Sequence, residues 1–411
     1  MNQALRSDAE QIVRSAIASV LPDEAVRRAL ANVTFPGRII LVAVGKAAWQ
    51  MAKAARDCLP GKIDRGIVLT KYGHVSHKLE NVLCLEAGHP VPDENSFRGT
   101  EKILEITGGL KVSDTVLFLL SGGGSALFEK PLIPSAELQD ITGQLLACGA
   151  DIREINTIRK RLSGVKGGRF AQWCAPARVE AVILSDVLGD PPDMIASGPA
   201  APDPTSSRRA LEIVAKYDLK LSREALTCLE RETPKSLDNV HTQIIGSVRQ
   251  LCSGAEAACR EMGYETVFLT DQLSCEAREA GRFLGAVLRS YRGTGRKLAF
   301  LAGGETVVHL TGTGKGGRNQ EVALGAVELL RGIDDACVIS VGSDGTDGPT
   351  DAAGGYADGD TFDALLEKQI FPDAALANND AYHALKAIDG LIFTGPTGTN
   401  VNDISVALLC P

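Results

Sequence analysis

One repeated unit constrains this chain more than any other feature. A continuous apolar run breaks directly into a glycine or aspartate turn, and a helical pattern follows. Arg38 to Val44 (RIILVAV) runs into Gly45-Lys46-Ala47-Ala48 and then a helical stretch from Ala47 to Cys58. The run recurs at Gly66 to Thr70, Val82 to Leu85 and Thr115 to Leu120, and again at Val179 to Ser185 (VEAVILS) before Asp186. Apolar runs without alternation suit strands buried on both faces, and repeated strand–turn–helix units pair in parallel through crossovers. Five or six such units before residue 235 predict a Rossmann-like, doubly wound, mostly parallel α/β sheet. A polar stretch, Thr233 to Asn239, breaks the pattern, so the expected division is 1–235 and a smaller α/β domain at 236–411.

That second part reads as a helix from Thr242 to Met262, a strand from Thr266 to Thr270 and a helix from Ser274 to Tyr291. Strands are expected at Leu298 to Ala302, Thr306 to Leu310 and Ala336 to Val341, with a last strand pair around Thr394 to Asp403. Residues 1–33 read as amphipathic helix, with a second turn starting at Pro22-Asp23.

Bulk properties narrow the function. A length of 411 residues favours two domains. A net charge of −8 argues against nucleic acid or an anionic membrane as partner. No uncharged apolar run reaches the ~20 residues of a membrane span. The N-terminus carries acids early and lacks a long apolar core, so no signal peptide is expected. Ten cysteines, none in a C-x-x-C pair, fit reduced thiols in a cytoplasmic protein without a zinc framework. His74 and His77 stand alone as H-x-x-H and read as surface histidines.

The glycine turns carry the chemistry. Lysine is unfavourable at a helix start, so Lys46 after Gly45 points to a bound anion. Ser121-Gly122-Gly123-Gly124-Ser125 follows a strand with more glycine than a turn needs, and offers amide donors to a phosphate. Asp186, Asp190 and Asp193 follow the strand end at Ser185, where carboxylates suit Mg²⁺. In the second half, Gly303-Gly304-Glu305 leads to a loop with Gly314, Lys315 and Gly316, and Arg318 and Asn319 open a helix. Glycines there would let amides approach a polyanion, and Arg318 would present a planar fork to phosphate or carboxylate. Asp344 and Asp347 lie in a further glycine loop and are the alternative Mg²⁺ ligands. The basic segment Asp151 to Arg169 reads in part as a solvated helix face, with Arg169 a candidate for a substrate carboxylate.

Gly312-x-Gly314-x-x-Gly317 matches the dinucleotide fingerprint in form. Its acid should end the second strand, however, and Asp334 precedes one. No Walker A motif occurs, and the kinase H-R-D signature is absent too.

GKAA (Gly45 to Ala48), EAGHPVPDE (Glu86 to Glu94), LSGGGSALF (Leu120 to Phe128), SDVLGDPPDMIASGP (Ser185 to Pro199), GGETVVHLTGTGKGGRNQE (Gly303 to Glu321) and GSDGTDGPTDAAGG (Gly342 to Gly355) occur in this order. Together they resemble the MOFRL-type, class II glycerate kinases, some of which have carried the label hydroxypyruvate reductase. The resemblance implies a Rossmann-like N-terminal domain, a smaller MOFRL domain and a site in the cleft between them. It implies D-glycerate and ATP as small-molecule partners, a divalent metal such as Mg²⁺, and 2-phosphoglycerate as product. Lys46 and Arg318 take the places of the family's catalytic cations, with Asp186 a candidate to orient the glycerate hydroxyl. A monomer or homodimer is expected. The alternative is a hydroxypyruvate reductase using NAD(P)H.

Overall fold

The computed structural model describes residues 2–411. The chain forms two compact units, one of Pro22–Ile245 and one of the chain up to Leu21 with Gly246–Pro411.

The first unit is built on β1 (Ile39–Val44), β2 (Ile63–Lys71), β3 (Val82–Ala87), β4 (Thr115–Leu120), β5 (Arg178–Leu184) and β6 (Val240–Gly246). They form one sheet in the order β3-β2-β1-β4-β5-β6. β1 lies parallel to both β2 and β4, with Val44 level with Leu69 and Leu120. Every residue of β1 and β4 is buried, as their unbroken apolar sequence requires. Val42, Phe118, Phe128, Phe170 and Ile183 belong to the core over this sheet. The strand order reverses between β1 and β4, so the turns after them meet at the topological switch point, where such sheets bind ligands.

The polar stretch at 233–239 is a loop before β6, not a domain boundary. β6 adds to the edge of the first sheet, and the helix expected from Thr242 begins only at Val248. Ile244, Ile245 and Gly246 extend as strand because their amides pair in the sheet before the helical periodicity can act.

The second unit holds β7 (Glu265–Leu273), β8 (Leu298–Gly304), β9 (Ala336–Gly342), β10 (Gly354–Asp358), β11 (Leu391–Ile392) and β12 (Asp403–Leu409). Their order is β11-β10-β9-β12-β8-β7. β7 and β8 are parallel, and β12 lies antiparallel between β8 and β9. Thr306 to Leu310 forms no strand but an irregular segment with a single bridge from Val307 to Glu276, and Leu310 is exposed. The strand pair expected at 394–403 is likewise a loop feeding β12. The helix Arg318–Leu330 buries most of its length against this sheet. The helix Gln3–Ser19 belongs here as well. Leu5, Ile12, Val13 and Ile17 are buried, and it packs on the helix Val248–Glu261 and on β9 and β12. All ten cysteines are free.

Candidate functional site

At the switch point the two glycine turns are stitched together. Ser121 N–H donates to the Val44 carbonyl at 2.9 Å, and Lys46 N–H to the Gly122 carbonyl at 2.8 Å. Ala47 N–H donates to Ser121 Oγ at 3.0 Å. Gly45 has φ +121°, and a Cβ there would lie 2.4 Å from the Ser121 carbonyl oxygen, so no other residue fits. The Lys46 carbonyl is held within 3.0 Å of His74 Nδ1. Its ammonium has no hydrogen bond or ion pair among the described residues. The stem of Lys46 and the ring of His89 lie over Gly123, where a Cβ would meet His89 Cδ2 at 3.0 Å and Lys46 Cγ at 3.2 Å. Burial, and then the charge of Lys46, push the His89 pKa down to about 4, so its ring is neutral at pH 7. A Cβ on Gly122 would come within 2.2 Å of Asp186 Oδ2, so the Asp186 carboxylate packs on the same turn. Lys46, His89, Asp186 and Ser121–Ser125 thus come together from the ends of four strands. Sequence reasoning missed His89. It lies in the EAGHPVPDE stretch, but only the tertiary contact with Lys46 marks it.

Beyond β5 the backbone is strained. Ala196, Ser197 and Gly198 have φ of +50°, +61° and +66°, and Asp190 has +54°. Such conformations gather at ligand sites. Ser197 Oγ donates to Asn156 Oδ1 at 2.8 Å and lies 3.1 Å from Ser125 Oγ. Asp190 Oδ1 is buried without a hydrogen-bond partner.

Only the start of the basic segment, Asp151 to Arg153, is solvated, and most of its cations are not. Lys160, Arg161 and Lys166 are at most 1 % exposed. Lys160 pairs with Asp193 at 2.9 Å and Asp203 at 3.2 Å, Arg161 with Asp203 at 3.3 Å, and Lys166 with Glu129 at 2.8 Å. Arg169 donates to the carbonyls of Ser163 and Arg161 at 2.6 and 3.3 Å and lines a surface cavity with Trp173 and Arg231. One nitrogen of its fork, Nη1, is therefore used on backbone carbonyls.

In the second unit Arg318 opens its helix already clamped. Its Nε and Nη2 donate to the two Asp403 oxygens at 2.5 and 3.0 Å, and Nη1 to Glu305 Oε1 at 3.0 Å. Burial works to lower the Arg318 pKa, but the Asp403 hydrogen bonds and charge outweigh it and hold the pKa above the usual arginine value. Asp347 accepts from Asn319 N–H at 3.1 Å and Gln320 N–H at 2.9 Å, and so occupies the helix N-terminus expected to receive an anion. A Cβ on Gly317 would stand 2.2 Å from Asp347 Cγ. Asn319 also reaches Asp347 and accepts from Ser340 Oγ at 2.6 Å.

The amides of Thr311 to Lys315 in the glycine loop are likewise taken. Thr311 and Gly312 donate to Asn379 Oδ1, Thr313 to Asn378 Oδ1, Gly314 to the Asn378 carbonyl and Lys315 to Asp380 Oδ1. Lys315 stacks its ammonium over the Tyr382 ring. Gly312, Gly314 and Gly316 serve close approach to 378–381. Gly303 faces Cys252 and Gly304 faces the Leu273 backbone in the same way. The residues 378–381 are about sixty positions downstream, with no local signal to announce them.

Among the described residues no three His, Cys, Asp or Glu side chains form a ready-made metal cage. Mg²⁺ needs only one or two protein carboxylates beside phosphates and water. Asp347 is engaged by its helix. Asp344 Oδ1 accepts from the N–H and hydroxyl of Thr346. Asp190 keeps a buried free oxygen and fits such a role best.

The match to known proteins spans this whole arrangement. The model of a domain of unknown function, DUF4147, matches residues 8–230, and the MOFRL family model matches residues 298–403. A D-glycerate 2-kinase of Thermotoga maritima is 50% identical, over 99% of this chain and 99% of that one. A protein of Agrobacterium vitis that carries a hydroxypyruvate reductase name is 39% identical over 98% of this chain and 94% of its own. A crystal structure of a glycerate kinase from Thermotoga maritima superposes with a TM-score of 0.96 at 49% identity, covering 99% of this chain and 100% of that one.

Proposed function

The chain belongs to the glycerate kinase family, and from that premise we propose that it transfers the γ-phosphoryl group of ATP to the 2-hydroxyl of D-glycerate. The observation that carries the phosphoryl-transfer part is Lys46, whose unpartnered ammonium stands at the switch point beside the Ser121–Ser125 turn. Transfer of a phosphoryl group needs little covalent chemistry from a protein. It needs in-line positioning and neutralised charge on the moving oxygens.

Lys46 supplies that charge at the β1 turn. His89, neutral at pH 7, accepts a hydrogen bond from a substrate hydroxyl. Asp186, packed on Gly122, orients the attacking hydroxyl or takes its proton. In the second unit Arg318 is the cation with the planar fork that suits a phosphate. Two carboxylates hold its guanidinium in one orientation, so little ordering is left for the reaction to supply. Asp190 would hold Mg²⁺, which would supply positive charge to offset the phosphates of the nucleotide.

Hydroxypyruvate reduction is the weaker reading. Its sequence support was the Gly312–Gly317 fingerprint, and the amides of Gly312 and Gly314 already bond to Asn378 and Asn379.

The test is phosphorus NMR of D-glycerate with ATP and Mg²⁺, with hydroxypyruvate and NADH run alongside. A 2-phosphoglycerate signal is expected, and NADH consumption without ADP would overturn the assignment. Lys46→Ala is expected to lose ~10³-fold or more in kcat, by analogy with other phosphate-neutralising cations. Its melting temperature should stay unchanged, because the ammonium has no partner to lose. Unaltered turnover in that variant would remove Lys46 from the chemistry.

A further inference from the structure

Among the five cations of residues 159–169, Arg159 alone makes no direct bond to a carboxylate or carbonyl of the described residues. Lys160, Arg161, Lys166 and Arg169 each bond to carboxylates or carbonyls. Arg159 has neither hydrogen bond nor ion pair among the described residues, and it is half-buried. Burial pushes its pKa below the usual arginine value, partly offset by the charge of Glu129.

Its surroundings are one negative charge short. Glu129 gives one carboxylate oxygen to Lys166 at 2.8 Å and keeps the other buried and unbonded among the described residues, so Arg159 and Lys166 share one anion. Lys160 and Arg161 are balanced separately by Asp193, Asp203 and Glu232. A partly desolvated cation that must share its counter-ion is incompletely neutralised, and such a site favours a further anion.

Position says which anion. Arg159 follows Asn156 by three residues on the helix Ile152–Arg161, so the two side chains are neighbours on one face. Asn156 bonds to Ser197, and Ser197 lies against Ser125 of the glycine turn. Arg159 therefore lies one helical turn from a residue bonded toward that turn, and its planar guanidinium matches a carboxylate in bidentate form.

We infer that Arg159 binds the carboxylate of the sugar-acid substrate and selects acids over neutral polyols. This rests on the glycerate reading above, and it assigns to Arg159 the role that the sequence pattern suggested for Arg169.

The experiment compares D-glycerate with its neutral isostere, D-glyceramide, in wild type, Arg159→Met and Arg159→Lys. In Arg159→Met, kcat/KM for D-glycerate should fall about 10²-fold, mainly through KM, as when a buried charge pair loses one partner. The amide should be nearly unaffected, so the preference for acid over amide collapses. Arg159→Lys, which keeps the charge but not the fork, should fall between, and added guanidinium should partly rescue Arg159→Met. Equal losses on both substrates would mean that Arg159 only balances Glu129 and Lys166, and would overturn the proposal, as would no loss on D-glycerate.

A wild type that makes no phosphoglycerate would sink the kinase reading instead. Thermal shift by D-glycerate then decides about Arg159. Stabilisation of wild type but not of Arg159→Met keeps the carboxylate site, and stabilisation of neither, or of both alike, removes it.

Discussion

At the scale of single residues, environment assigns roles that residue type cannot. Five basic side chains crowd residues 159–169, and a sequence reads them alike. Three are sealed in ion pairs, one caps backbone carbonyls and one is left over. His89 shows the same effect. Two of the chain's histidines, His74 and His77, stand out in sequence as H-x-x-H. His74 reaches only the Lys46 carbonyl, whereas the ring that shares the space over Gly123 with the Lys46 side chain is His89, in the proline-bound loop EAGHPVPDE.

Its depressed pKa makes a prediction about stability. Between pH 6.5 and about 4 the unfolded chain binds a proton at residue 89 that the folded chain refuses. Folded stability through this group is therefore complete above pH 6.5 and is lost as pH falls toward 4. Urea midpoints measured across that window should drop more steeply in wild type than in His89→Gln. Parallel curves would show that His89 is solvated and free to protonate.

At the scale of elements, helix starts were expected to be anion sites, and they divide into two kinds. The start at Lys46 presents a cation and is backed by a second glycine turn. The start at Arg318 is filled from within by Asp347. Both follow glycine, so glycine content cannot separate them. What separates them is whether a carboxylate elsewhere in the fold reaches the first-turn amides. Asp347→Ala should leave the amides of Asn319 and Gln320 buried and unpaired and cost about 2 kcal/mol, readable as a lower urea midpoint without Mg²⁺. A loss that appears only with Mg²⁺ present would return Asp347 to the metal.

At the scale of the whole molecule, chain order and fold order part company. The helix Gln3–Ser19 is first in sequence but packs with elements beyond residue 246. Leu5, Ile12, Val13 and Ile17 are buried there, and burying each such side chain contributes roughly 1.5–3 kcal/mol. A fragment of residues 246–411 should therefore be poorly stable alone, with an apolar face open. Adding a peptide of residues 1–21 in trans should raise its melting temperature and suppress dye binding. A fragment equally stable with and without the peptide would show that the helix is an accessory.

The strands of the first sheet could be read from the chain because burial on both faces leaves a local imprint, an unbroken apolar run. Glycine turns could be read because positive φ and close backbone approach exclude a Cβ, as at Gly45. These two imprints determined the doubly wound architecture and led to Lys46 and the Ser121–Ser125 turn. Which donors stay open was decided only in three dimensions. The loop Gly312–Gly317 carries the glycines of an anion cradle, but Asn378, Asn379 and Asp380 occupy the amides of Gly312 to Lys315 from some sixty residues away. The strand β12, arriving from the end of the chain, places Asp403 on Arg318. Periodicity and backbone permissiveness are properties of neighbours in sequence. Occupancy of a donor or a charge depends on neighbours in space.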